Sequence, residues 1–273
     1  MPVVNPTPTN SRKTRRLGLM AALFAFAWVG SAYALLPLAW RHYEYQRGLD
    51  GHAMVTRTSQ GIPGDPINFG LVGSEADIAC AFEAAGWSPA DPVTLATSLR
   101  IVGSVVLKRP YPDAPVSALF YAGRREDLAF QKPAGNSADT RHHIRLWKVL
   151  EDGDEHRPVW LGSDSFDRGV GVSHYTLQIT HHIDADIDAE RDALGADLSE
   201  AGVVDDIYFV TGVGVTINGR NGGGDRYFTD GEALMARLSA DCGSGAKKAP
   251  TILPDPPVVA GKNAVWRALC KWF

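Results

Sequence analysis

An uncharged apolar run near the N-terminus limits what this chain can be more than any other feature does. Residues 17–40 read LGLMAALFAFAWVGSAYALLPLAW and contain no charged side chain. A helix of this length extends about 36 Å, which exceeds the roughly 30 Å hydrocarbon core of a bilayer. The sequence therefore predicts one transmembrane helix over residues 17–40.

The residues before this run predict its orientation. Four of them are basic: Arg12, Lys13, Arg15 and Arg16. Because positive charge collects on the cytoplasmic side of a membrane protein, we expect residues 1–16 to form a cytoplasmic tail. The rest of the chain would then be exported. The expected location is the inner membrane, crossed once, with the C-terminal domain in the periplasm.

A cleaved export signal is the alternative to an uncleaved anchor. Ala32-Tyr33-Ala34 has the small-x-small form of a cleavage site, and Arg15-Arg16 resembles a twin-arginine signal. The apolar run continues through Leu35, Leu36 and Leu38, however, where a mature N-terminus would normally become polar. This continuation favours the anchor, and both interpretations export the same domain.

The remaining chain divides by composition into four segments. Residues 41–63 read as a polar tether, and residues 64–242 as one globular domain. Residues 243–262 are rich in Pro and Gly and read as a linker, and residues 263–273 as a basic amphipathic tail. With 45% hydrophobic and 21% charged residues, the whole chain has globular composition. Its net charge of -4 argues against a nucleic-acid partner, which requires a basic surface.

Local signals within the domain predict helices first and strands later. Ser74 and Asp77 form a capping box for a helix that ends near Gly86, and two further helices are predicted over 92–107 and 186–201. A hairpin is expected from 116–121 and 128–131, followed by strands at 141–149, 158–163, 172–182 and 205–217. This order predicts an α+β fold, with a largely antiparallel sheet, packed helices and the transmembrane helix before them.

Three cysteines are too few for a disulfide framework. Cys80 lies in an apolar helical stretch and reads as a buried thiol. Cys242 and Cys270 flank the Pro/Gly-rich linker, and they could pair in an oxidising compartment.

Histidines supply the candidate chemistry, because six of the eight lie between residues 142 and 182. Strand alternation would put His143 and Arg145 on one face of their strand, and His174 and His182 on one face of a later strand. If these two faces met, the imidazoles and a nearby carboxylate could hold a divalent metal that activates water. Arginine side chains could then bind an anion through paired hydrogen bonds.

The candidate residues follow from this geometry. The predicted catalytic set is His143, His182, Arg145 and Arg191; the predicted metal ligands are His143, His174, His182, Asp184 and Asp186. No His-Glu-x-x-His or Cys-x-x-Cys pattern supports the metal. An ordinary polar network remains the alternative, with Asp184 and Asp186 placed at the positive end of a helix dipole. Whether the chain is an enzyme therefore stays open.

Several segments together resemble the LssY C-terminal domain family over residues 65–240. The resemblance rests on Asp65-Pro66-Ile67-Asn68, Ala84-Ala85-Gly86-Trp87, residues 123–132 (GRREDLAFQK), residues 141–147 (RHHIRLW), Val159-Trp160-Leu161-Gly162, residues 181–191 (HHIDADIDAER) and residues 227–231 (YFTDG). It implies a bacterial envelope protein, since some members are joined to DedA-like or phosphatidic acid phosphatase-type membrane domains. The family name implies a link to type I secretion.

The resemblance and the single predicted span together give two functional hypotheses. The first is a membrane-anchored periplasmic accessory or binding domain that works beside a lipid phosphatase or export component of the inner membrane. A separate partner is needed because the chain lacks a phosphatase signature such as Pro-Ser-Gly-His. The alternative is a periplasmic, metal-dependent hydrolase that acts on an anionic or phosphorylated envelope compound.

Overall fold

The computed structural model describes most of the chain in two compact units. Described are residues 11–35, 37–38, 46, 48–49, 51–91, 117–135, 139–211, 217–240, 242 and 248–257, with isolated positions in the C-terminal tail. One unit comprises residues 1–44 and 256–273, and the other comprises residues 45–255. The helix predicted over 92–107 lies outside the described residues.

The N-terminal helix, α1, covers Ser11–Gly30 and continues as a π-helical segment over Ser31–Leu35. Among the described residues, one helical span, Lys13–Leu35, is long and apolar enough to cross a membrane, and none of it is buried. Its exposed surface carries large apolar side chains such as Phe24 and Phe26. A signal sequence near an N-terminus has the same length and composition, so the helix alone does not choose between anchor and cleaved signal.

The second unit contains two helices and fifteen strands among its described residues. The helices are α2 (Glu75–Ala84) and α3 (Ile187–Ala201). The strands are β1 (Val55–Arg57), β2 (Pro63–Pro66), β3 (Phe69–Val72), β4 (Ser88–Pro89), β5 (Phe120–Tyr121), β6 (Arg124–Arg125), β7 (Leu128–Pro133), β8 (Arg141–Leu150), β9 (Val159–Val172), β10 (Ile179–Ile183), β11 (Val204–Thr211), β12 (Ile217–Arg220), β13 (Arg226–Thr229), β14 (Glu232–Leu238) and β15 (Thr251–Ile252).

Nine of these strands form one mixed sheet in the order β15-β11-β14-β3-β9-β8-β7-β4, and β10 pairs with the end of β9. Its pairs are antiparallel except β14 with β3 and β11 with β15. Strands β2-β1-β5-β6 form a smaller sheet, and β12 pairs with β13. The predicted α+β class with a largely antiparallel sheet is therefore confirmed. β15 lies inside the segment that the sequence predicts as a linker.

Capping explains where both helices of the domain begin. Ser74 Oγ accepts the N–H of Asp77, and Asp77 Oδ2 accepts the N–H of Ser74 at 2.8 Å, so the predicted capping box is present. Gly86 follows α2 with a φ of 79°, a left-handed conformation that a glycine adopts without steric cost. Asp186 Oδ1 accepts the N–H of Ala189 and caps α3.

The long strand β8 separates two faces of the large sheet. Ile144 and Leu146 point toward the core that α2 and α3 cover, together with Phe82 and Leu194. Trp147 belongs to the apolar cluster on the other face. Side chains in a strand alternate between faces, so Arg141, His143 and Arg145 share the face of Trp147. That face holds the candidate site.

Two strand predictions differ from the structure, one in its pairing and one in its length. Residues 116–121 and 128–131 do not form one hairpin, because β5 pairs with β6 and β7 pairs with β8. The short hairpin closes through Ala122 and Gly123, both of which have positive φ. The strand predicted over 158–163 is much longer, since β9 continues to Val172.

The structure contradicts both expectations for the cysteines, the buried free thiol at Cys80 and the optional pairing of Cys242 with Cys270. Cys80 of α2 is bonded to Cys242, with a Cα–Cα distance of 6.2 Å, so it is not a free buried thiol. Cys242 packs beside the apolar core that contains Phe82 and Val204, and this places its sulfur next to α2. Sequence spacing carries no information on such a contact, because the two cysteines are 162 residues apart.

Candidate functional site

A polar cavity of about 350 Å³ opens on the face of the sheet that carries Arg141, His143 and Arg145. Strands β8 and β9 provide four of its ionisable residues, and β2, β6 and β10 provide one each. Three arginines, two aspartates and two histidines line the cavity: Arg125, Arg141, Arg145, Asp65, Asp167, His143 and His181. Hydroxyl and amide side chains complete the lining, among them Thr58, Ser117, Ser173, Gln178 and Asn221. The cavity therefore suits a polar ligand.

Asp167 connects three of the basic groups. Its Oδ2 accepts a hydrogen bond from Arg141 Nε at 2.9 Å and lies 3.4 Å from His143 Nδ1 and 3.9 Å from His181 Nδ1. Burial would raise the pKa of this carboxyl, but the two imidazoles and the guanidinium lower it below its ordinary value. Asp167 is thus an ionised carboxylate that offsets the charge of Arg141.

Arg145 and Asp65 form the second charged pair. Arg145 Nη1 lies 3.5 Å from Asp65 Oδ2, and Arg145 Nε donates to the carbonyl oxygen of Ser117 at 2.8 Å. Burial raises the pKa of Asp65, and the opposing effect of Arg145 is smaller. Asp65 therefore holds its negative charge less firmly than Asp167 does. The hydrogen bonds of Arg145 within the described part of the chain leave its Nη2 for a ligand.

His143 is a buried residue of the cavity lining whose Nδ1 lies 3.4 Å from Asp167 Oδ2, without the geometry of a hydrogen bond. It is 2% exposed, and neither of its ring nitrogens has a hydrogen-bond partner among the described residues. Burial lowers the pKa of this imidazole well below its ordinary value, and Arg145 and Arg141 lower it further. A buried polar group usually has a partner, so a neutral His143 that lacks one indicates a bound ligand or water.

A second histidine cluster lies next to one wall of the cavity. His182 Nδ1 contacts Asp225 Oδ1 at 2.7 Å, and His174 Nε2 lies 4.0 Å from the same oxygen. One potential ligand atom from each of these three residues lies within 4.8 Å of the others. Asp225 Oδ2 accepts the N–H of Ile183 at 3.2 Å, which fixes the carboxylate. This group has the composition of a metal site.

Glycines allow the two rings of this cluster to approach. A Cβ on Gly171 would lie 2.2 Å from His182 Nε2, and a Cβ on Gly224 would lie 2.7 Å from the Cβ of His174. Gly224 also has a φ of 90°. The sequence thus leaves room for the imidazoles at two positions where another side chain would displace them.

The structure divides the predicted site residues between four places. His143 and Arg145 line the cavity, whereas His174 and His182 belong to the neighbouring cluster with Asp225. Asp184 and Asp186 stabilise the start of α3 instead: Asp184 Oδ1 accepts the N–H of Asp186, and Asp186 caps the helix.

Arg191 lies elsewhere and is paired. Its guanidinium donates to Asp192, to Asp230 and to the carbonyl oxygen of Glu232, and it stacks over the ring of Phe209. Burial opposes its charge, but the hydrogen bonds to Asp192 and Asp230 raise its pKa above the ordinary value. These contacts hold α3 against the β13–β14 turn, which is a structural role.

A separate acidic group lies on the helix-covered face of the sheet. His142 Nδ1 contacts Glu190 Oε1 at 2.6 Å, and Asp164 lies in the same region with both carboxylate oxygens lacking partners among the described residues. Burial raises the pKa of Asp164 well above its ordinary value, and the nearby charge of Glu190 raises it further. Burial therefore favours the protonated form of Asp164, and this residue is not part of the cavity lining.

Comparison with known proteins gives a family. The sequence pattern of the LssY C-terminus matches residues 43–233, which is more than half of the 273 residues. The chain belongs to the LssY C-terminus family. The match to the LssY C-terminus includes β1 to β13 and so contains the whole cavity and the histidine cluster. Neither a curated protein nor a solved structure matches the chain significantly.

Six ionisable residues of this LssY C-terminus site are absent from the predicted catalytic and metal sets: Asp65, Arg125, Arg141, Asp167, His181 and Asp225. Asp65 lies in one of the segments that carry the family resemblance, but its partner Arg145 is 80 residues away. Asp167 was missed because the predicted strand stops at residue 163. The register Arg141↔Asp167 and His143↔Ser165 shows that extending β9 would have found the carboxylate.

Proposed function

We propose that this LssY C-terminus protein is a membrane-anchored binding domain of the bacterial envelope whose cavity holds an anionic group such as phosphate or carboxylate. The observation that carries the proposal is the pair Arg145 and His143. Within the described part of the chain, a buried guanidinium with one nitrogen available and a buried imidazole without hydrogen bonds both line this cavity.

The charges of the cavity favour an anion over a cation. Three arginines and two aspartates line it; Arg125 is paired with Glu126 at 2.8 Å, and burial raises the pKa of Asp65, which favours the uncharged form of that carboxyl. Guanidinium groups bind phosphate and carboxylate through charge-assisted hydrogen bonds that fix the ligand's orientation. Hydroxyl groups such as those of Thr58 and Ser173 can donate to the remaining oxygens. A volume of about 350 Å³ suits a small phosphorylated or carboxylated compound.

Two features support an envelope location. The basic residues before α1 favour a cytoplasmic N-terminus, which would place the domain in the periplasm. The disulfide between Cys80 and Cys242 supports the same side, because disulfides persist in oxidising compartments and are rare in the cytosol. An accessory role beside a membrane phosphatase or secretion component fits this location. Protease digestion of intact spheroplasts tests it: a domain that resists until the inner membrane is broken contradicts a periplasmic location.

Ligand-dependent thermal unfolding of the full chain in detergent tests the binding function. Phosphate at a hundredfold excess over its Kd should raise the midpoint by about 5–10 °C. The Arg145→Met variant should lose this ligand-dependent rise. Arg124 provides the matched control. Its guanidinium donates to the carbonyl oxygen of Lys148 and to the carboxylate of Asp127, and it does not line the cavity. A rise that persists in Arg145→Met, or that none of a panel of phosphates, sulfate and carboxylates produces, contradicts the proposal.

A metal-dependent hydrolase is the second candidate, and the cluster of His174, His182 and Asp225 favours it. Two imidazoles and a carboxylate are a common zinc ligand set, and bonds of about 2.0–2.2 Å could close around one ion after small side-chain movements. Such an ion supplies a water of lowered pKa. The loop Asn221–Gly223 lines the cavity and hydrogen-bonds to His174 through the carbonyl oxygen of Gly223, so a bound anion would lie close to the cluster.

Elemental analysis of the full chain, purified without a histidine tag or chelator, separates the two candidates. The hydrolase predicts a stoichiometric metal that His182→Ala and His174→Ala remove. His156→Ala is the control, since the side chain of His156 is exposed and its ring contacts Asp152, away from the cluster. A protein without metal, even after dialysis against zinc, would leave binding as the supported function.

A further inference from the structure

The hairpin formed by β9 and β10 exposes apolar side chains at one edge of the cavity. Within residues 170–179, here called the tip hairpin, five large apolar side chains are exposed: Val170, Val172, Tyr175, Leu177 and Ile179. Leu177 is 79% exposed and Ile179 is 78% exposed. Only three other described residues of the unit 45–255 join them as exposed large hydrophobics: Val55, Phe228 and Ile252. The tip hairpin therefore concentrates most of the unit's exposed apolar surface.

Charge is absent from the same segment. Residues 169–183 contain no Asp, Glu, Lys or Arg. Loops on protein surfaces that face water are usually polar, and a contiguous exposed apolar patch marks a site of contact with another molecule or a membrane. Tyr175, with an apolar ring and a polar hydroxyl, is a residue type that favours the boundary between lipid and water.

The tip hairpin is ordered by hydrogen bonds without burying these side chains. Ser173 Oγ accepts the N–H groups of Tyr175 and Thr176, each at 3.2 Å, and Leu177 N–H donates to the carbonyl oxygen of Ser173. Leu177 has a φ of 58°, in the left-handed region where glycine or asparagine is usual. The turn thus presents a leucine to the outside at a position where a smaller residue would fit the backbone better.

The cavity and the tip hairpin are continuous. Thr176, Gln178 and Ile179 belong to both, and Ser173 at the base of the turn also lines the cavity. A molecule that covers the exposed apolar side chains would therefore reach the entrance to the arginines with its polar end. A phospholipid surface offers this combination, with apolar chains below and anionic phosphate above.

The N-terminal helix of the chain is the reason to expect a lipid bilayer as the partner of the tip hairpin. Helix α1 is long and apolar enough to cross one, and residues 36–54 connect it to β1. We infer that the tip hairpin inserts into the outer surface of that membrane and that the cavity binds the phosphate of an anionic lipid headgroup. The second half of this inference rests on the proposed anion-binding function, and it names the ligand class of the same cavity.

Spin labelling of the full chain in nanodiscs tests the insertion. Cys270→Ser removes the cysteine outside the disulfide, and Leu177→Cys then carries the label. Glu151→Cys on the β8–β9 loop is the control, because its side chain is 78% exposed. In discs of phosphatidylcholine with phosphatidic acid, oxygen should relax the label at 177 at least threefold more than a water-soluble nickel chelate does, with the reverse order at 151. Equal access of nickel to both labels overturns the insertion.

Two further arms distinguish failure of this inference from failure of the proposed function. Val172→Gln with Tyr175→Gln, two exposed positions that do not line the cavity, should expose the label at 177 to nickel while binding of inorganic phosphate stays within twofold. Loss of phosphate binding in this variant would show that the tip is merely structural. Arg145→Met should weaken capture of vesicles that contain phosphatidic acid by at least tenfold, and capture that is unaffected overturns the headgroup assignment. Inorganic phosphate that binds while the label at 177 stays in water refutes the lipid inference alone; a label in lipid without phosphate binding refutes the proposed function and the headgroup assignment.

Discussion

Removal of the disulfide between Cys80 and Cys242 should cost the domain a large part of its stability. The bond joins α2 to a residue 162 positions later, so it closes most of the domain into one loop of the unfolded chain. In the chain-entropy description, a loop of this size lowers the entropy of the unfolded state by about 17 cal/mol/K, or about 5 kcal/mol at 25 °C. Domains of this size are stable by only about 5–15 kcal/mol.

The assay is guanidinium unfolding of the full chain in detergent, followed by tryptophan fluorescence. We expect Cys80→Ala with Cys242→Ala to lower the free energy of unfolding by about 3–5 kcal/mol, somewhat less than the entropic limit, because real unfolded chains retain structure. Cys270→Ala is the matched control and should change it by less than about 0.5 kcal/mol. Peptide mapping that links Cys242 to Cys270, or a double variant as stable as the control, would refute the reasoning.

Three further predictions concern ionisable side chains that the fold buries. Asp167→Asn should tighten phosphate binding about tenfold in calorimetry, because it removes a negative charge from the cavity lining together with its attraction for Arg141; binding that weakens would contradict an anion site. Burial holds the pKa of His143 low, so the unfolded state takes up a proton first as pH falls below about 6.5, and the folded state loses stability there. His143→Gln should flatten this acid-side slope of the thermal midpoint, and an unchanged slope would show that His143 does not cause it. Asp164 has the opposite sign, since burial keeps its carboxyl protonated in the fold while the unfolded state ionises above about pH 4. The stability gained by Asp164→Asn should therefore grow as pH rises above about 4, and a gain that shrinks with rising pH would argue against a neutral buried acid.

Local signals in the sequence predicted the helices that the structure describes. The two reciprocal hydrogen bonds of the capping box join Ser74 and Asp77, which are only three positions apart, and the structure contains both bonds. Alternation along Arg141–Trp147 correctly separated Ile144 and Leu146 from His143 and Arg145, because a strand has one geometry over its whole length. Short-range physics was sufficient at these positions.

The composition of the site depends on contacts that no short segment contains. Strand β9 includes Gly162, Asp164, Asp167 and Gly169, residues that disfavour strands, so its extension beyond residue 163 could not be read from propensity. Asp225 meets His182 across 43 positions, and Arg145 meets Asp65 across 80. Arg191 illustrates the opposite error, a residue wrongly included in the site. The sequence predicts that it binds an anionic ligand, whereas its guanidinium is paired with Asp230 and Asp192. Register and tertiary pairing decide which charges remain for a ligand.

Isothermal titration of inorganic phosphate into the full chain in detergent tests the anion-binding claim most directly. The account predicts one phosphate per chain, an affinity at least tenfold weaker in Arg145→Met, and an unchanged affinity in Arg124→Met. Absence of binding to the wild-type chain, or equal affinity in all three proteins, would contradict the assignment of Arg145 and the cavity around His143 as an anion site.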